Sequence, residues 1–321
     1  MRLQAFRTAL LSLLVLATAA CHDKEQPAVT ATPGGDTPEA AVMQSVALIK
    51  AGDFNGFWKH ALPPADYATL RADWTLPRPG QPPISNEDRA RFATTMQQLT
   101  APDAETRLYG QLQPQLAQAE QKYKDQLPML IGLGQSVLKS GVAQNQTLSA
   151  EQKQQANAVI DVLAPWAQQV PWFDPAKAKQ AVGVVAATAR KLDLKSPDQL
   201  RTMDFDNAMQ RYATAFAGAK DLLAIYGLSV DQALDSVKAT PIDNAKGRAR
   251  VRLDYTLLGK PLSTETVLVQ QDGRWYGEDL LNNARESHAR LTAPAAGAST
   301  AAPASSAAAP ATAASATAAA H

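Results

Sequence analysis

The chain has 321 residues, 31 Lys and Arg against 30 Asp and Glu, four His and one Cys, with 19% charged and 45% hydrophobic residues. A lone Cys excludes an intramolecular disulfide and a Cys-based structural zinc site. The balanced charge argues against a general nucleic-acid binder, and the hydrophobic content is too high for a wholly disordered chain.

The chain opens with Arg2 and Arg7, followed by an uncharged run over 8–20 centred on Leu10, Leu11, Leu13, Leu14, Val15 and Leu16, and then small residues, Ala17 to Ala20. That is the three-part plan of a secretory signal peptide, and the run is shorter than the roughly 20 residues a membrane-spanning helix needs. The only cysteine, Cys21, falls where cleavage is expected. Thr18-Ala19-Ala20-Cys21 resembles the lipobox of bacterial lipoproteins, with Thr18 where Leu is commonest. The resemblance implies that Cys21 becomes the first residue and carries acyl chains, which anchor stably when two or three are present. The implied partner is the membrane itself. By the same resemblance His22, rather than Asp, in second place favours the outer membrane, facing the periplasm. An ordinary cleaved leader with a chance cysteine beside it is the alternative.

Residues 21–36 are rich in Pro, Thr, Gly and Ala and read as a flexible tether. Thr37-Pro38 is a helix start and Gly52 its stop, with Val42, Met43, Val46, Ala47 and Ile49 on an apolar face. Asp53 opens a second helix with Phe54, Phe57 and Trp58; Tyr67, Leu70 and Trp74 mark a third, and Pro77, Pro79, Pro82 and Pro83 form a connector up to residue 84. From 85 to 234 the pattern is helical. Ser149-Ala150-Glu151-Gln152, Ser196-Pro197-Asp198-Gln199 and Ser229-Val230-Asp231-Gln232 each match a capping box, and Asp174-Pro175 is a further start. Leu108, Leu112, Leu116, Tyr123 and Leu127 give one stripe, which Pro114 and Pro128 should kink or break. The uncharged run Leu127–Leu138 reads either as an apolar groove or membrane-dipping surface or as part of the bundle core; the core is favoured because all-round apolar helices are usually buried.

The period then drops to two. Ala249, Val251, Leu253, Tyr255 and Leu257 alternate with polar residues, a half-buried strand. Gly259-Lys260 reads as a turn, 264–271 as the next strand, Asp272-Gly273 as a tight hairpin, and Arg274-Trp275-Tyr276 as the strand after it. An earlier strand near 237–242 carries Pro241, which suggests a sheet edge. A last helix over 278–291 precedes the 29 residues 293–321, which hold 17 Ala with Ser, Thr, Pro and Gly and lack a large apolar side chain. That tail cannot offset its ordering entropy by burial and reads as disordered. The expected fold is α+β and predominantly helical, a helical bundle plus a C-terminal antiparallel meander of three to four strands over 235–292.

The helix ending Ala51-Gly52-Asp53-Phe54, the aromatic helix after it and the meander with Asp272-Gly273-Arg274-Trp275-Tyr276 resemble the NTF2-like (cystatin-like) superfamily over residues 37–75 and 236–280. The resemblance implies a curved sheet wrapping a helix, with the middle helices as an insertion. Enzymes of that group use a pocket Asp or His as general base, which makes Asp53, His60 and Tyr255 the candidates here. The plainer reading has Asp53 capping a helix, His60 on a helix surface and Tyr255 packed in the sheet.

No metal-ligand spacing occurs, Gly132-Leu133-Gly134 lacks the strand and third Gly of a dinucleotide loop, and there is neither a Walker Lys nor a Gly-x-Ser-x-Gly elbow. No cofactor is expected. Arg248, Arg250 and Arg252 share one strand face, either a solvated face or a site for an acidic partner or lipid phosphates. The expected function is non-enzymatic: a lipid-anchored envelope protein that binds an apolar ligand, a lipid or an envelope protein. The alternatives are an enzyme with a pocket Asp or His base, and a structural spacer or assembly factor whose tail reaches another layer.

Overall fold

The computed structural model describes residues 31–77 and 81–293. The leader, Cys21 and the alanine-rich tail from 294 onward lie outside the described residues. The architecture is mostly helical, with one four-stranded antiparallel sheet near the C-terminus.

Three helices come first: α1 (Pro38–Ala51), α2 (Phe54–Ala61) and α3 (Pro64–Trp74). Thr37 caps α1 with its hydroxyl, Pro38 sits in the first turn, and Gly52 ends the helix in the left-handed region at φ 71°. Asp53 then caps α2 by accepting from the Gly56 N–H at 2.7 Å.

The middle of the chain adds α4 (Asn86–Thr100), α5 (Ala104–Tyr123), a 3₁₀ turn (Lys124–Gln126) and α6 (Leu127–Gln144). It continues with α7 (Ala150–Gln169), α8 (Pro175–Leu192), α9 (Pro197–Thr202), α10 (Phe205–Ile225) and α11 (Val230–Asp235). Pro114 does not break α5; the break comes at the 3₁₀ turn, with Pro128 in the first turn of α6, where a missing N–H costs little. Ser149 forms a full capping box with Gln152, whereas Ser229 makes no cap and its hydroxyl is buried without a partner.

The sheet is a meander, β1 (Lys238–Ala245), β2 (Arg248–Leu257), β3 (Lys260–Gln271) and β4 (Arg274–Gly277), in the order 1-2-3-4, followed by α12 (Glu278–Thr292). Each hairpin turns on two residues with positive φ: Lys246-Gly247, Leu258-Gly259 and Asp272-Gly273. That pattern matches the right-handed twist of paired strands. β1 is an edge strand with a bulge after Pro241. β2 buries alternate residues, and Ala249, Val251 and Leu253 meet Ala41 of α1, Leu268 and Trp275 in one cluster. A second cluster joins Leu48 and Ile49 of α1, Phe57 of α2, Val159 of α7, Leu234 of α11 and Tyr255 and Leu257 of β2. Burying each such side chain contributes roughly 1.5–3 kcal/mol, so α1 is held chiefly by what it covers. Trp74, Phe205 and Met209 form a third cluster between α3 and α10.

Two expectations are corrected. Residues 31–36, assigned by composition to the tether, belong to the fold. Gly35 exchanges two backbone hydrogen bonds with Trp275 at 3.1 and 2.9 Å, and the Gly34 N–H donates to the His60 carbonyl at 2.8 Å. The two glycines serve close approach rather than flexibility: a Cβ on Gly35 would lie 2.2 Å from the Ala41 nitrogen, and one on Gly34 would lie 2.8 Å from Tyr276. Second, α6 is not part of a bundle core, since none of its residues is buried.

Candidate functional site

The three candidate catalytic residues are placed apart in their chemistry. Asp53 is an exposed cap. His60 is only 1% exposed, with Nδ1 2.7 Å from the Thr32 carbonyl oxygen and Nε2 2.9 Å from that of Ala41. It is therefore not a surface residue: the last turn of α2 turns it inward, where it ties the incoming chain to α1. Tyr255 is buried, as the alternation of β2 requires, and its hydroxyl accepts from the Gln155 side-chain amide. Burial pushes this phenol up to about 12. No two of the three share a hydrogen-bond partner among these contacts.

The arginine face is already neutralised. Arg248 pairs with Glu278 at 2.7 Å, Arg250 with Asp243 at 2.7 Å and Arg252 with Asp254 at 3.0 Å. Another guanidinium, Arg71, grips Asp206 through two bonds of 2.6 Å and also donates to the Tyr67 hydroxyl at 3.1 Å. That hydroxyl donates to Asn55, whose amide returns to Asp206, closing a ring that locks α2, α3 and α10 together. The ring's hydrogen bonds hold the Asp206 carboxyl below its usual range. All these groups are occupied by structural work.

The concave feature lies elsewhere, between α5 and α8. Leu108, Leu112 and Leu116, at intervals of four on α5, face Ala178, Ala181, Val182 and Val185 on α8, with Trp172 and Tyr226 completing the walls. The hollow measures about 390 Å³ and has no charged residue in its lining. Small side chains on α8 leave the space; α8 also packs closely on α10, where a Cβ at Gly218 would lie 2.2 Å from the Thr188 hydroxyl. Glu105 near the start of α5 pairs with Arg190 in the last turn of α8, so the two helices run antiparallel. The bonds to Arg190 hold the Glu105 carboxyl down at about 2. Near the other end of α8, Trp172 stacks on Tyr226 with centroids 5.2 Å apart and meets Trp166 edge-on at 5.8 Å. The indole N–H of Trp166 donates to the Tyr226 carbonyl and that of Trp172 to the Ala167 carbonyl. Both indole N–H groups are satisfied within the fold, which fixes Trp172 against Tyr226 as an aromatic end wall. Such a lining accepts an apolar chain and offers nothing to a charged one.

The stripe of Leu108, Leu112 and Leu116 is legible in the sequence, but its meeting with Trp172 and Tyr226 is not. The pairing of α5 with α8 rests on contacts some 70 residues apart in the chain, which periodicity does not carry.

Among the described residues, no three His, Cys, Asp or Glu side chains are grouped to hold a metal ion, and no helix is long and apolar enough to cross a membrane. No protein-family model, curated protein or solved structure matches the chain.

Proposed function

We propose that this is a lipid-anchored cell-envelope protein, held to the outer membrane on its periplasmic side through Cys21, that binds a single apolar chain in the groove between α5 and α8. The groove carries the reading. Its volume lies within the usual range of ligand sites, its lining is apolar, and its end wall is a fixed pair of aromatic rings. Binding rather than catalysis is favoured because Asp53, His60 and Tyr255 are each engaged separately, in a cap, a backbone clamp and a core contact.

The test is native mass spectrometry of the protein extracted from membranes. The expected spectrum shows, beyond the covalent acyl chains, a non-covalent adduct of lipid mass that Ala181→Trp removes by filling the groove. A wild-type protein without such an adduct, which also takes up no added long-chain fatty acid, would contradict the reading.

A further inference from the structure

Helix α6 carries an apolar stripe on its outer face. Gln135 and Lys139, four residues apart, face α7 and both reach Asp161, at 2.8 and 2.6 Å. The face turned away from α7 carries Met129, Leu133 and Val137 at intervals of four, with Leu130 beside them. Met129, Leu133 and Val137 are 67%, 62% and 63% exposed. From Gln126 to Leu138 no residue is charged; Lys122, Lys124 and Asp125 precede the run and Lys139 follows it. A helix free to choose would put its apolar stripe inward and its lysine outward. Here Gln135 and Lys139 stand on the inner face beside the half-buried Ile131 and Val142, and a second apolar stripe is presented outward.

The geometry points to a lipid bilayer as the partner of this face, with α6 lying in the plane of the membrane surface. The setting rests on the anchored reading above, and the position of the anchor supports it. Nine residues lie between Cys21 and Ala31, a span of at most about 35 Å. Ala31 packs against the large cluster to which α7 contributes Val159, and α6 lies against α7 through Asp161. A tether of that length lets an acyl group on Cys21 and the α6 face meet the same membrane. The charge-free stretch suits the acyl boundary, and Lys122, before it, has a stem long enough to place its ammonium group among the headgroups. One weak surface contact held beside a covalent anchor gains from the high effective concentration that the anchor imposes.

The test uses the chain from residue 21 onward with Cys21→Ala, so that no acyl chain contributes. Ser140→Cys, on the outer face of α6, supplies the only thiol for a polarity-sensitive fluorophore. With vesicles of phosphatidylethanolamine and phosphatidylglycerol at three to one, the emission is expected to shift to the blue and to be quenched by bromine on the lipid chains. Adding Leu133→Asp and Val137→Asp should lower the partition coefficient at least about tenfold with an unchanged circular dichroism spectrum, since both side chains are already mostly outside. An absent blue shift with vesicles would overturn the inference. So would a shift that appears without vesicles and grows with protein concentration, which would assign the face to a second copy of the chain. Palmitate labelling in cells reports the anchor and not α6, so the two readings fail separately.

Discussion

At His60 a single side chain does the work of a hinge pin. A neutral imidazole has one N–H, and here both ring nitrogens sit on carbonyl oxygens, those of Thr32 and Ala41. Replacing His60 with Ala removes these contacts and leaves a cavity, so stability should fall by about 2–3 kcal/mol in urea denaturation. Hydrogen exchange at the Gly34 amide should speed up with it, because that N–H bonds to the His60 carbonyl beside the lost ring. Tyr255 offers a second check. Its phenol is pushed up to about 12 by burial, while an unfolded tyrosine ionises near 10. The folded state thus holds its proton more tightly, so this group's contribution to stability is complete below about pH 10 and is lost as the pH rises toward 12. In a tyrosinate titration by absorbance, one phenol should ionise last, and Tyr255→Phe should remove that step. Asp53 was legible as a cap from its place before Phe54. His60 was not, because its partners lie 28 and 19 residues away and nothing within α2 announces them.

At the scale of elements, the pairing of α5 with α8 makes the groove, and Glu105–Arg190 ties the two helices together. The Glu105 carboxyl is held at about 2, below its ordinary 4.5, because Arg190 bonds its charged form. The stabilisation from this exposed pair is present above pH 4.5 and is lost as the pH falls toward 2. Wild type should therefore melt above Glu105→Gln at pH 6, with a narrower gap at pH 2.5. An equal gap at both values would contradict the assignment. The strands were the most readable elements, because a period of two together with Asp272-Gly273 fixes face and register at once. Lys246-Gly247 was not read as a turn, and the β2–β3 turn falls at Leu258-Gly259, one residue before the expected pair; Lys and Leu are unusual at positive φ. Helix starts were legible where a hydroxyl or carboxylate finds a free N–H, as at Ser149, Asp174 and Ser196. Ser229 matches the same pattern and caps nothing, since its burial overrides the local signal. For α6 the sequence states only that a run is uncharged, which is equally true of a buried helix and of one turned outward. Asp161, the residue that decides its orientation, is on another helix.

In the whole molecule, the N-terminal segment, α1, α7 and the sheet form one continuous body, with Ala31 already packed into it. Arg274 holds the incoming segment by donating to the Pro33 and Gly34 carbonyls at 2.9 Å each, and pairs with Asp36. The strain of a tether would thus be borne at residue 31 rather than at 37. The groove and the outer face of α6 both present apolar surface, and each has a use at a lipid surface that it lacks in bulk water. The claim common to them is that the body works at a membrane, held there by Cys21. Labelled palmitate fed to cells producing the wild type and Cys21→Ala tests that claim most directly. The account predicts label in the wild-type band, none in the variant, and release of the variant from the membrane fraction. A wild-type protein recovered with a free, unlabelled thiol, or with residues 1–20 still attached, would contradict it.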